Sequence, residues 1–481
     1  MSVHFGAVDL GLILLYLGAV VFLGYRASRS RRSDADEFLL AGRTLTLPLF
    51  VATLVSTWYG GILGVGEFSY RYGLSNWFVF GLPYYFFALL FALLLARRIR
   101  ATNLYTIPDK LEQSFGRPTA VLGAVLAFIL ATPAAYVLML GVLVQVVFGG
   151  NLTLWVIAAT ALTTIYLYKG GFRSDVWVNT FEFGAMFLGF ALIVAFAVGR
   201  YGGWTFLETH LPPLHLTWRG GNSWQYILVW FFIALWTLID PAFHQRCYAA
   251  RDEATAQRGI LVSIAFWFVF DALTTTAGLY ARAILPGLPQ PMYSYPALAE
   301  VILPPVAKGL FYIGMLATIM STLSSLTLIS AITIGKDIVG RLAVPERREE
   351  LTTRWTRHGL TIAALVSIVL ALAVPSVVGL WYTIGTCVIP GLLVPILASY
   401  FRPLRIPPAF AFTSMLTGWL VSTASFVAGH LWMADGVAQY PLGIEPMYPG
   451  LAVSLAVWGM GRITAVRPGK EAEAGGRVTP R

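Results

Sequence analysis

Apolar runs of about 20 residues, the length that carries a helix across a bilayer's hydrocarbon core, recur from one end of this chain to the other. No polar stretch between them is long enough for a soluble domain. Only 12% of the 481 residues are charged, against about a quarter in an ordinary soluble domain. The expectation is an all-α integral membrane protein of the inner or plasma membrane, one transmembrane domain over residues 1–465 with a short polar tail at 466–481.

The runs place spans at about 7–26, 45–74, 77–97, 119–148, 151–168, 175–199, 222–246, 257–284, 308–338, 357–374, 377–399, 407–431 and 446–465, thirteen in all. The second is too long for a straight crossing and is expected to be tilted or broken. Basic residues flanking spans favour the cytoplasmic side. With the N-terminus outside and the C-terminus inside, 28 of the 33 Lys and Arg fall on that side. Arg71, Arg200, Arg219, Arg282 and Lys308 are the other five. The formal charge of +10 is therefore read as a topology signal and not as a nucleic-acid surface. The first run has no basic residue before it and Arg26, Arg29, Arg31 and Arg32 after it, the reverse of a secretory signal peptide. Cys247 and Cys387 lie in or near different runs, which suggests neither a disulfide framework nor a thiolate metal site.

Interruptions of a helix inside a membrane are informative, because the freed backbone groups must be satisfied by other protein or by a water-filled cavity. The second run contains Trp58-Tyr59-Gly60-Gly61, and the seventh contains Ile239-Asp240-Pro241. Such a pair, five spans apart, is the arrangement in which inverted repeats hold ions and solute near the midplane. Close helix packing through small residues and a proline kink would produce the same letters.

In the ninth run, Thr318, Ser321, Thr322 and Ser325 follow i, i+3, i+4, i+7 spacing, which puts four hydroxyls on one helix face with Ser324 beside them. A hard monovalent cation needs several oxygen ligands, and hydroxyls with freed carbonyls supply them without the net charge that suits a divalent ion. The alternative is that each hydroxyl bonds back to its own i−4 carbonyl and packs.

Carboxylates within spans are costly and default to a paired or functional reading. Glu67, Glu182, Asp240 and Asp271 qualify. Asp240 abuts the proline break and is expected to face a central cavity, with pairing to an Arg or a helix N-terminus and contact with solute equally weighted. Glu182 and Asp271 read as structural pairs or as residues near a polar edge. Trp58, Tyr59, Trp236, Trp381 and Tyr382 fall near the midplane or its outer gate, where aromatic faces with a carboxylate can hold an organic cation. No Lys or Arg lies mid-span. The six histidines are scattered, and no phosphate-binding glycine loop is present, so the chain is not read as an enzyme and no nucleotide or nucleic-acid partner is expected.

Four regions together resemble the sodium:solute symporter family. They are Phe38-Leu39-Leu40-Ala41-Gly42-Arg43; Gly170-Gly171-Phe172-Arg173; Pro241 with Gln245-Arg246; and Tyr295 to Ser325, with Pro296-Ala297-Leu298, Leu303-Pro304-Pro305, Lys308-Gly309-Leu310 and Ser321-Thr322-Leu323-Ser324-Ser325. The Trp58-Tyr59-Gly60-Gly61 version looks most like the branch containing choline and similar transporters.

The resemblance implies the leucine-transporter fold. Two inverted five-helix repeats would occupy 45–199 and 222–399, after an extra span and loop at 1–44 and before two C-terminal spans at 407–465. It implies a sodium ion held by the carbonyls of Ser56, Tyr59 and Thr318 and the hydroxyls of Ser321 and Thr322. Solute would sit beside Trp58, Tyr59, Gly60, Gly61, Trp236, Asp240 and Trp381. Some members resemble one another in a second sodium site that uses an Asp. Here that position is Asn179, with Ser324 and Ser325 opposite; its carbonyl oxygen and the nearby Asp175 and Glu182 leave occupancy open, and the missing carboxylate makes one ion the expectation. The function implied is sodium-coupled symport of a small polar or cationic organic solute by a monomer in the lipid bilayer. A proton-driven symporter of the same fold and a non-transporting solute sensor are the rivals.

Overall fold

A computed structural model describes residues 3–28, 35–342, 348–374, 376–434 and 437–466. The basic residues Arg29, Arg31 and Arg32 and the tail beyond Val466 lie outside them. The apolar runs fold as helices, which satisfy their own backbone groups where water is absent. Ten described helices are long and apolar enough to cross a membrane: Ala7–Ala27, Trp77–Ala101, Arg117–Phe148, Leu167–Tyr201, Trp224–Ala249, Glu253–Ile284, Ala307–Leu342, Leu351–Ala373, Val377–Tyr400 and Pro408–Leu431. The pair Leu47–Trp58 and Ile62–Tyr72, bent by 61°, makes an eleventh when taken as one span. The expected thirteen is not reached on this criterion. Leu152–Thr164 is short, with 13 residues. Met447–Val466 has 20 residues, but its apolar pattern is interrupted by Pro449, Gly450, Gly459, Gly461 and Arg462. The described strands are two residues each, Met433–Ala434 paired antiparallel with Val437–Ala438.

The overlong second run is broken, as its length required. The boundary expected between 168 and 175 coincides with a kink at Gly171, where Leu167–Tyr201 leaves helical geometry. Gly171 adopts φ +49°, and a Cβ there would collide with the Phe38 backbone. Two of the motif regions are thus pressed against each other, and the left-handed conformation needs glycine.

Ala307–Leu342 is the central helix, with its apolar stretch wholly buried. It crosses Leu167–Tyr201 where Gly189 meets Gly314, each lacking the Cβ that would hold the two backbones apart. At its start the Asp9 carboxylate accepts from the backbone N–H of Val306 at 2.8 Å and of Gly309 at 3.0 Å. That is the placement a carboxylate favours at a helix N-terminus. At its other end Arg341 pairs with Asp109 at 2.7 Å, with Asp337 at 3.0 Å and with Glu112, and Lys336 also pairs with Asp109. Thr106 donates to Asp337 at 2.8 Å. The short Ile107–Phe115 helix is held against the central helix by this cluster.

Candidate functional site

Leu47–Trp58 stops at Tyr59, and Ile62–Tyr72 starts after Gly61. The two glycines between are dictated by their neighbours. A Cβ on Gly60 would enter the Thr322 side chain, and one on Gly61 would enter the Trp381 ring. The break therefore lies flat against the central helix on one side and an indole on the other.

The closeness of this approach brings the hydroxyl face onto the freed carbonyls. Ser321 Oγ donates to the Ser56 carbonyl at 3.0 Å, and Thr322 Oγ1 to the Thr57 carbonyl at 2.7 Å and the Ser56 carbonyl at 3.3 Å. The Thr318 carbonyl points the same way, accepting from Ser321 at 3.1 Å and Thr322 at 3.4 Å. Only the Thr318 hydroxyl is wholly back-bonded, to the Gly314 carbonyl at 2.7 Å. The two readings of the stripe are thus divided among its members. These oxygens are uncharged and buried, a donor set that suits a monovalent hard cation.

One turn further on, the stripe faces charge. Ser324 and Ser325 donate to the two oxygens of Asp175 at 2.8 and 2.7 Å, and Arg246 reaches the same carboxylate at 3.3 Å. Asn179 turns its amide N–H groups toward Ser325 at 2.9 Å and Asp175 at 3.2 Å. The residues expected around a second ion are together, but around a guanidinium.

The second break is at Asp240, which caps the Pro241–Ala249 helix. Its Oδ1 accepts from Ala242 N–H at 2.7 Å and Phe243 N–H at 3.0 Å, and its Oδ2 from the Trp236 indole at 3.0 Å. Of the partners weighed for it, the helix N-terminus holds this carboxylate.

Between the breaks lies a cavity of about 130 Å³. Trp58, Tyr59, Gly61, Trp236, Asp240 and Trp381 line it, joined by Phe80, Tyr84, Tyr85, Tyr136, Trp230, Trp267, Thr322 and Asp271. Gly60 stands behind the wall, and Tyr382 turns away to Glu445. Trp58 packs edge-on against Phe243 at 4.9 Å and Tyr84 at 5.6 Å. None of the lining residues is Lys or Arg among the described residues.

Asp271 corrects the sequence reading. It is paired, accepting from the hydroxyls of Tyr59 and Tyr85, but it stands in the cavity wall and not at a polar edge. Glu182 does behave as a structural partner, accepting from Tyr16 at 3.0 Å, and Glu67 pairs with Arg71 at 3.0 Å. Asp175 was weighed only as a neighbour of Asn179 in sequence, and Thr57 and Arg246 were not expected at the site. A hydroxyl beside the break and an Asp one turn before Asn179 were the signals for Thr57 and Asp175.

The sodium:solute symporter family model matches residues 38–418. A sodium/pantothenate symporter of Escherichia coli is 25% identical over 489 residues, covering 93% of this chain and 95% of that protein. A high-affinity choline transporter of Drosophila melanogaster is 24% identical over 396 residues, covering 77% of this chain and 63% of that protein. The substrate-bound outward-open structure of a Na+-coupled sialic acid symporter superposes with a TM-score of 0.78 at 16% identity, covering 96% of this chain and 98% of that one. That superposition shows the fold, shared with leucine-transporter-like proteins. With the family match spanning most of its length, the chain belongs to the sodium:solute symporter family, as a multi-pass membrane transporter coupled to sodium and not an enzyme.

Proposed function

We propose that this chain carries a small organic solute, polar or cationic, into the cell with sodium by alternating access. The observation that carries the solute class is the cavity between the two breaks: a wall of aromatic rings with the carboxylates of Asp271 and Asp240 and no basic side chain. An organic cation over such a ring gains about 0.5–2 kcal/mol, more as water is excluded. Similarity to a choline transporter supports the cationic end of that range. Trp58, Tyr59, Trp236, Trp381 and Asp271 would contact the solute, with Gly60 and Gly61 allowing the approach and Asp240 fixing the Trp236 indole.

Sodium would be held by the carbonyls of Ser56, Tyr59 and Thr318 and the hydroxyls of Ser321 and Thr322. The contacts of Ser321 and Thr322 with the Ser56 carbonyl support this, because an ion there exchanges weak O–H···O contacts for oxygen ligation. Tyr59 lies in both sites, so ion and solute should each raise the other's affinity by the same factor.

The architecture proposed with it has thirteen crossings, counting Leu152–Thr164 and Met447–Val466, with the N-terminus outside and the C-terminus cytoplasmic. Inverted repeats would occupy 45–199 and 222–399, and the monomer would be the working unit. Uptake of radiolabelled choline and of zwitterionic amino acids into proteoliposomes, under a sodium gradient or a pH gradient alone, tests the proposal. Sodium-driven accumulation of a cation is expected. Uptake that follows the pH gradient and ignores sodium overturns it.

A further inference from the structure

We infer that the guanidinium of Arg246 is a built-in cation, occupying an oxygen cage that would otherwise take a second mobile ion, so that the chain binds one sodium. The inference deepens the sodium reading above and rests on it for the first ion only.

The cage is made by Asp175, Asn179, Thr57, Ser324 and Ser325, from three different helices, and every one of these residues is buried. Arg246 enters from a fourth, the helix that Asp240 caps. Its Nη2 donates to Thr57 Oγ1 and Ser325 Oγ, both at 2.8 Å, and lies 3.3 Å from Asp175 Oδ2. These atoms are the uncharged hydroxyls and single carboxylate that a monovalent ion would need.

The oxygens nearest the guanidinium are already engaged by fixed donors. The Ser325 hydroxyl gives its hydrogen to Asp175 at 2.7 Å, so its two lone pairs are contested by three donors, Thr57, Arg246 and Asn179. Thr57 Oγ1, 3.0 Å from Ser325, then donates to it and accepts from Arg246 and, at 3.3 Å, from Asn179. Asp175 accepts from both serines, Asn179 and Arg246. The orientation of Asn179 is the sharpest sign. A carboxylamide facing a metal ion presents its oxygen, whereas this one presents N–H, as acceptance by the carboxylate requires. Its Oδ1 is buried and accepts no hydrogen bond.

The hydroxyl face is thereby divided. Ser321 and Thr322 meet neutral carbonyls and can trade them for an ion, whereas Ser324 and Ser325, one turn on, are tied to Asp175, and Ser325 also receives the Arg246 guanidinium. A plain structural ion pair would leave the ion count indifferent to its removal. A resident cation would not.

Equilibrium binding of radioactive sodium to the purified chain tests this. Wild type is expected to bind about one ion, Arg246→Met two, and the doubly neutral Asp175→Asn/Arg246→Met one. A wild-type count of two overturns the inference, as does an Arg246→Met count equal to wild type. Should wild type bind none while Arg246→Met binds one, the cage reading stands and the sodium site at Ser321 and Thr322 falls. If Arg246→Met does not fold, Arg246→Gln takes its place, a count one above wild type supporting the inference and a count equal to wild type overturning it.

Discussion

Thr322 donates its hydroxyl to the Thr57 carbonyl at 2.7 Å, while the hydroxyl of Thr57 accepts from Arg246 at 2.8 Å. One residue of the broken span therefore faces the proposed ion site with its backbone and a fixed charge with its side chain. Removing the hydroxyls that face the carbonyls should weaken sodium alone. Ser321→Ala with Thr322→Ala is expected to raise the sodium concentration for half-maximal uptake at least tenfold, about 1.4 kcal/mol. An unchanged sodium curve would show that this face merely packs.

The glycines of the break predict a second result. Gly60→Ala pushes a methyl group into Thr322 and moves the broken span off the central helix, so uptake should fall by an order of magnitude with poorer sodium activation. Gly184→Ala is the control. Its Cβ meets nothing within 4 Å, and alanine gains about 1 kcal/mol of helix propensity over glycine. Equal losses in the two variants would rule out a specific role for the close approach.

What the chain disclosed before folding followed how local each feature is. The helix breaks needed only Gly60-Gly61 and Asp240-Pro241, and the hydroxyl face only its own spacing. The cap role of Asp240 was within reach for the same reason, since its donors are two and three residues ahead. The pairing of Asp271 was expected, but its place in the cavity wall was not legible, because its partners, Tyr59 and Tyr85, come from distant helices. The Arg246–Asp175 pair joins residues 71 apart, and no periodicity on either helix reports it. Gly170-Gly171 was legible for the same reason as the breaks, and the kink at Gly171 where the chain meets Phe38 lies where the span was expected to begin.

Asp271 and Asp240 should part company on neutralisation. Asp271→Asn keeps the shape of the wall but removes its negative charge. It is expected to weaken a cationic solute at least tenfold in competition uptake while sodium activation moves less. Asp240→Asn retains a good N-cap, so its effect on solute should be smaller, though still larger than its effect on sodium. A larger effect on sodium than on solute from Asp240→Asn would assign it to ion coupling.

The ion cluster at the end of the central helix predicts a change in conformation. Asp109 is shared by Lys336 and Arg341, so its removal releases the Ile107–Phe115 helix from Lys336 and leaves Arg341 held to it through Glu112 alone. Charge-paired partners of this kind, once left single, cost more than the pair itself contributed. Cys247 is a natural reporter, being buried on the Pro241–Ala249 helix between His244 and Tyr248, which line a small pocket with Asp337. In a Cys387→Ser background, Asp109→Asn should speed maleimide labelling of Cys247 several-fold from the side that carries the cluster. Saturating sodium should slow the labelling again by favouring the form closed on that side. Labelling that is as slow as in the parent protein, with and without sodium, would mean that the cluster fastens a surface helix and takes no part in closing the path.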